Sequence, residues 1–112
     1  MNANVKKIVI TAPLREIGAY SFNNCKAVLE IILPLGLEKI GYSAFYSSNL
    51  THVYFNGTRA EYEKILETYT HPSVPSAKPF PEEKVYYYSE TEPSEQGNYW
   101  HYVDGEATPW FE

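Results

Sequence analysis

The stretch Ile17-Gly18-Ala19-Tyr20-Ser21-Phe22 returns as Ile40-Gly41-Tyr42-Ser43-Ala44-Phe45, displaced by 23 residues, and this repeat decides the fold. The same displacement carries Ile8-Val9-Ile10 onto Ile31-Ile32-Leu33. A third copy of that segment, Val53-Tyr54-Phe55, follows after 22 residues, the lost residue falling in the Ser47-Ser48-Asn49 turn. A fixed period of this length marks stacked units that each lean on a neighbour for a core. Each copy reads as a short strand, a turn near Pro13 or Pro34, an extended piece ending in Ile-Gly, and a compact aromatic turn. Period-two alternation sends Ile8/Ile10, Ile31/Leu33 and Val53/Phe55 inward. Val9, Ile32 and Tyr54 then form an outward column, flanked by Lys7, Glu30 and His52. Phe22 and Phe45 read as a core spine. Gly18 and Gly41 suit backbone positions that need unusual dihedrals or close approach.

Working outward from the repeats, Asn56-Gly57 is a turn signal. Thr58 and Glu61 have the spacing of a capping box. Tyr62, Ile65, Leu66 and Tyr69 fall on one face of a helix over 58–69, stopped by His71-Pro72. Residues 70–83 hold four of the eight prolines and read as a connector. In 84–112, two aromatic strands and an Asp104-Gly105 hairpin turn predict a three-stranded antiparallel meander, with 91–97 as its longer loop.

Composition narrows the function classes. At 112 residues with 44% hydrophobic and 21% charged residues, the chain is an ordinary globular domain. No apolar run is long enough for a membrane span, and the opening MNANVKKIVITAP lacks the pattern of a signal peptide. Residues 1–81 carry a balance of +2 and residues 82–112 one of −7. An acidic chain without a basic stripe is a poor ligand for nucleic acid or for an anionic membrane. Cys25, the only cysteine, excludes an internal disulfide.

The segment Cys25-Lys-Ala-Val-Leu-Glu-Ile-Ile-Leu-Pro34, followed by Leu37-Glu-Lys-Ile-Gly41 and Ser43-Ala-Phe45, resembles the BspA-like leucine-rich repeat over roughly residues 7–65. Val28 stands where leucine is usual, and Ser48 where a second turn cysteine is. The resemblance implies an α/β-type leucine-rich-repeat solenoid, a right-handed superhelix of short parallel strands. It spans 1–69 and is capped by the helix; the antiparallel meander of 84–112 packs on or next to the repeats. The resemblance further implies a bacterial protein of the cell surface or secreted, acting as a non-catalytic interaction module for a protein partner.

No sequence pattern points to an active centre, cofactor or metal. His52, His71 and His101 are scattered, and Cys25 has no indicated base beside it. Glu61 and Glu63 face different directions on their helix. Glu90, Glu92, Glu95 and Asp104 lack the spacing of a calcium loop and read as a solvated acidic surface. Asn49-Leu-Thr51 and Asn56-Gly-Thr58 match glycosylation sequons but lie in turns the fold requires. Interaction surfaces are the better candidates. Lys7, Val9, Glu30, Ile32, His52 and Tyr54 make an outward patch that is either a partner-binding surface or covered by another part of the chain. Tyr87, Trp100, Tyr102 and Trp110 are candidate glycan or partner contacts in the tail, whose eight aromatics are otherwise cross-strand packing. A carbohydrate-binding module using this tail, or a purely structural cap, is the competing expectation. The first strand has no preceding repeat to cover it, which predicts either self-association through residues 4–12 or a parent protein with more repeats there.

Overall fold

A computed structural model describes residues 6–10, 14–22, 25–45, 49–74 and 77–111. The turn near Pro13, the shortened turn at 47–48 and part of the 4–12 edge lie outside the described residues. Five strands come first: β1 (Lys7–Val9), β2 (Glu16–Ile17), β3 (Glu30–Leu33), β4 (Lys39–Ile40) and β5 (His52–Phe55). Helix α1 (Arg59–Thr68) follows, then one 3₁₀ turn at Glu82–Lys84, and then β6 (Val85–Tyr88), β7 (Tyr99–Val103) and β8 (Glu106–Pro109).

The repeat register is the predicted one. β1, β3 and β5 run parallel, with Ile8 opposite Ile31 and Ile31 opposite Val53. β2 and β4 form a separate parallel pair, Ile17 opposite Ile40. The period also appears in the hydrogen bonds between copies. Leu29 N–H donates to the Lys6 carbonyl at 2.8 Å, Thr51 N–H to the Leu29 carbonyl at 2.8 Å, and Glu38 N–H to the Arg15 carbonyl at 2.8 Å. The Asn49 amide donates to the Lys26 carbonyl, so this sequon asparagine serves the turn between copies. At Gly41 the need is close approach: a Cβ there would collide with the Ala19 backbone nitrogen. The left-handed backbone falls instead on Tyr20 and Ser43, equivalent residues one repeat apart, with φ of 60° and 54°.

Ile31, Leu33, Val53 and Phe55 are buried in the main core between the sheet, β4 and α1. Phe22 and Phe45 stack with ring centroids 5.1 Å apart, and Phe80 from the proline-rich connector adds a third ring 4.9 Å from Phe45. The connector is therefore pinned by a buried anchor. The capping box forms as predicted: Glu61 N–H donates to Thr58 Oγ1, and Thr58 N–H donates to Glu61 Oε1 at 2.9 Å. Tyr62 and Ile65 are buried beneath α1, and Tyr69 closes the helix as its C-cap.

The tail departs from the expected antiparallel meander. β6 pairs in parallel with β5, Val53 opposite Val85, and β7 pairs in parallel with β6. Only β7 and β8 are antiparallel. Their turn is the expected Asp104-Gly105 hairpin, with φ of 51° and 81° at its two central residues, as a type I′ turn requires. The edge of β5 presents unpaired backbone groups in parallel register, and β6 takes them up. Residues 89–98 then carry the chain back to the starting end, so β7 also enters parallel. The result is one six-stranded sheet in the order β1-β3-β5-β6-β7-β8.

Phe45→Ala empties the middle of the three-ring stack and is expected to cost about 3–5 kcal/mol in denaturant unfolding; a loss below about 1 kcal/mol would show that these rings are not core. The Thr58 hydrogen bonds hold the Glu61 carboxyl below the usual carboxylate range. This contribution is full above the unfolded pKa and is lost as pH falls through the lowered folded value. Glu61→Ala should therefore lower stability at neutral pH, and the gap from the wild type should narrow below about pH 4 in denaturant unfolding.

Candidate interaction surface

The outward face of the sheet was expected to expose its central column. Val9 is 49% exposed, but Ile32 is 5% and Tyr54 2% exposed, so the middle of that column is buried. The covering residues come from the tail. Trp100, fully buried, lies 5.3 Å from the Tyr54 ring, with Tyr86, Tyr88 and Ala107 around it. The indole Nε1–H of Trp100 donates to the Phe55 carbonyl at 2.8 Å, so the buried polar tip of the ring has its partner. Of the two expectations for this patch, the second describes Ile32 and Tyr54: another part of the chain covers them. An apolar outer face next to a strand ladder offers the aromatic tail more buried area than water would.

The rim of the face stays accessible. Lys7, Glu30 and His52 are half-buried. Lys7 Nζ meets Glu106 Oε2 at 2.9 Å, which brings the first and last strands of the sheet together and shows how strongly it curls. The Lys7 ammonium holds the Glu106 carboxyl below its usual range. The His52 ring stacks on Tyr54 and Tyr86, at 5.5 and 5.1 Å.

The four tail aromatics expected as contacts do not share one surface. Tyr87 packs with the main core, its ring 6.0 Å from Tyr62, whereas Trp100 belongs to the opposite face. Trp110 stacks on His101 at 3.6 Å and donates to the Ser89 carbonyl. Tyr102 is 47% exposed, with its ring edge-on to Trp100 at 5.0 Å. Cys25 is buried. Among the described residues, no three His, Cys, Asp or Glu side chains converge as a cation would need.

Two concavities escape sequence reading, because distant segments build them. One, of about 360 Å³, lies between the Leu35–Glu38 turn and α1, with Phe55 and Ile65 at its base. The other, of about 530 Å³, is bounded by Arg59 at the start of α1, Glu82 and Glu83 of the 3₁₀ turn, and the 95–99 segment. Tyr87 and Tyr99 line it from adjacent strands, where they are register partners. Desolvation pushes the Tyr87 hydroxyl above its ordinary pKa, with Arg59 opposing and Glu82 and Glu63 reinforcing the shift. Charges of both signs therefore act on this hydroxyl.

Parallel strands stacked at the repeat spacing, two of them followed by a second short ladder and an aromatic turn, define a repeat protein. The BspA type leucine-rich repeat region (6 copies) matches residues 1–69, and the chain belongs to that family. Neither the curated proteins nor the solved structures contain a match to the chain.

Trp100→Ala leaves a cavity over Ile32 and Tyr54 and should cost about 3–5 kcal/mol in chemical denaturation. Tyr102→Ala, two residues further along the same face of the strand but at a 47% exposed position, should cost much less, about 1 kcal/mol or below. Equal effects for the two would contradict the burial of Trp100.

Proposed function

We propose that the chain is a non-catalytic interaction module of a bacterial surface or secreted protein, and that its ligand is another protein. On this reading the repeats are a piece of right-handed leucine-rich-repeat solenoid, closed at one end by α1 and the tail. Family membership supports the interaction role, because stacked repeats present equivalent side chains side by side on a continuous surface. The single observation that carries the choice of surface is the half-covered outward face. The tail seals Ile32 and Tyr54 but leaves Val9 in solvent, beside the half-buried Lys7 and Glu30. An exposed aliphatic residue two places along β1 from the Lys7–Glu30 register pair sets an apolar spot beside polar neighbours, the anatomy of a protein contact. Tyr102 extends the same face with an aromatic anchor.

The test compares proteins retained from host and microbial surface extracts by the immobilised wild type and by Val9→Glu and Tyr102→Ala. A partner retained by the wild type and lost from both variants supports the reading. Identical retention by all three would sink it. A mass that doubles with concentration in light scattering, and no longer does so in Val9→Glu, would assign the face to a second copy of the chain.

A further inference from the structure

The groove of about 530 Å³ lies on the other side of the sheet from the proposed protein contact and is independent of it. Its floor is built by register. Tyr87 on β6 and Tyr99 on β7 are direct partners across the ladder, so both side chains rise from one face of strands about 4.8 Å apart. Asn98 fixes that floor: its amide nitrogen donates to the Glu83 carbonyl at 2.8 Å and to the Val85 carbonyl at 3.2 Å. The Gly97 backbone lies against the Tyr99 ring so closely that a Cβ there would come within 2.9 Å of it, which holds the ring in place.

The walls carry polar groups of every kind. Arg59 is steadied by Glu63 at 3.3 Å and Glu82 at 3.2 Å, which keeps its planar group at the rim. Opposite it, Glu95 and Gln96 supply a carboxylate and an amide. An anion entering the groove would meet the carboxylates of Glu82, Glu83 and Glu95, while the Arg59 guanidinium is already held by Glu63 and Glu82 and keeps further N–H donors for a ligand. A neutral polyhydroxylated ligand conflicts with neither. Each hydroxyl both donates and accepts, so it can serve guanidinium, amide and carboxylate alike. The apolar face of a sugar ring also matches the flat, amphipathic tyrosines. A volume of this size accommodates a small ligand of two or three rings.

We infer that this groove, floored by Tyr87 and Tyr99 and walled by Arg59, Glu82 and Gln96, is a binding site for a short neutral oligosaccharide. The sugar site is thus not the set Tyr87, Trp100, Tyr102 and Trp110. It keeps Tyr87 and replaces the others with residues that only the fold brings together.

Amide chemical shifts of the intact chain, followed during titration with maltotriose, cellotriose and the β-1,4-linked N-acetylglucosamine trimer, test the site. At least one probe should give saturable shifts centred on Arg59, Gly97, Asn98 and Tyr99, with a Kd on the order of 1 mM. Tyr99→Ala should weaken binding by roughly tenfold or more, and so should Gln96→Ala, which sits in an exposed loop and leaves the core intact. Val9→Glu should leave the titration unchanged, which separates this site from the protein contact. The inference is overturned if no probe moves those amides at about 20 mM, or if the shifts persist undiminished in both groove variants. Saturable shifts from a trilysine peptide, in the absence of any from the sugars, overturn it equally.

Discussion

The free edge of β5 is the constraint on which the rest of the molecule depends. A stack of parallel strands ends in a row of unpaired backbone donors and acceptors, and in this protein that row coincides with the apolar run Val53-Tyr54-Phe55. Left open, it would cost stability and invite aggregation. β6 occupies it in register, Tyr54 opposite Tyr86 and Phe55 opposite Tyr87. The tail is therefore part of the same sheet as the repeats, and α1, the connector and the hairpin are arranged around that join.

One strand can satisfy the edge, but the sheet also has two apolar faces. The inward face is closed by β4, α1 and Phe80. The outward face is closed by Trp100 and its neighbours, which requires the sheet to curl until Lys7 of β1 reaches Glu106 of β8. That ion pair is exposed and contributes little by itself. Its meaning is geometric, because it marks how far the last hairpin has come back over the repeats. The same pattern of opposite charge, basic repeats against an acidic tail, recurs where Arg59 meets Glu82. On β1 and just beyond it, Ile8 and Ile10 are only partly buried, while their equivalents Ile31 and Leu33 are wholly so.

The surfaces follow from this closure. Covering Ile32 and Tyr54 removes the centre of the patch that alternation alone leaves exposed, and moves any contact to Val9 and the rim. Turning β7 parallel to β6, rather than antiparallel, places Tyr99 beside Tyr87 and sends Trp100 to the opposite face. A meander would have distributed these aromatics differently, so strand direction in the tail decides which residues can act together.

The sequence by itself determined the repeat register, the inward columns, the Phe22–Phe45 stack, the capping box and the Asp104-Gly105 turn. All of these depend on residues close in the chain or separated by one fixed period, and local sterics or simple periodicity encode them. It left undecided what covers Ile32 and Tyr54, where Phe80 anchors, and how the tail strands run. A run such as Val85-Tyr-Tyr-Tyr88 carries the same alternation whether it pairs parallel or antiparallel, so direction is absent from the pattern. That choice belongs to the tertiary structure, where the open edge of β5 and the length of the 89–98 connection select it. The groove walled by Arg59, Glu82 and Gln96 is a consequence of the same choice, because its parts meet only once the tail has joined the sheet.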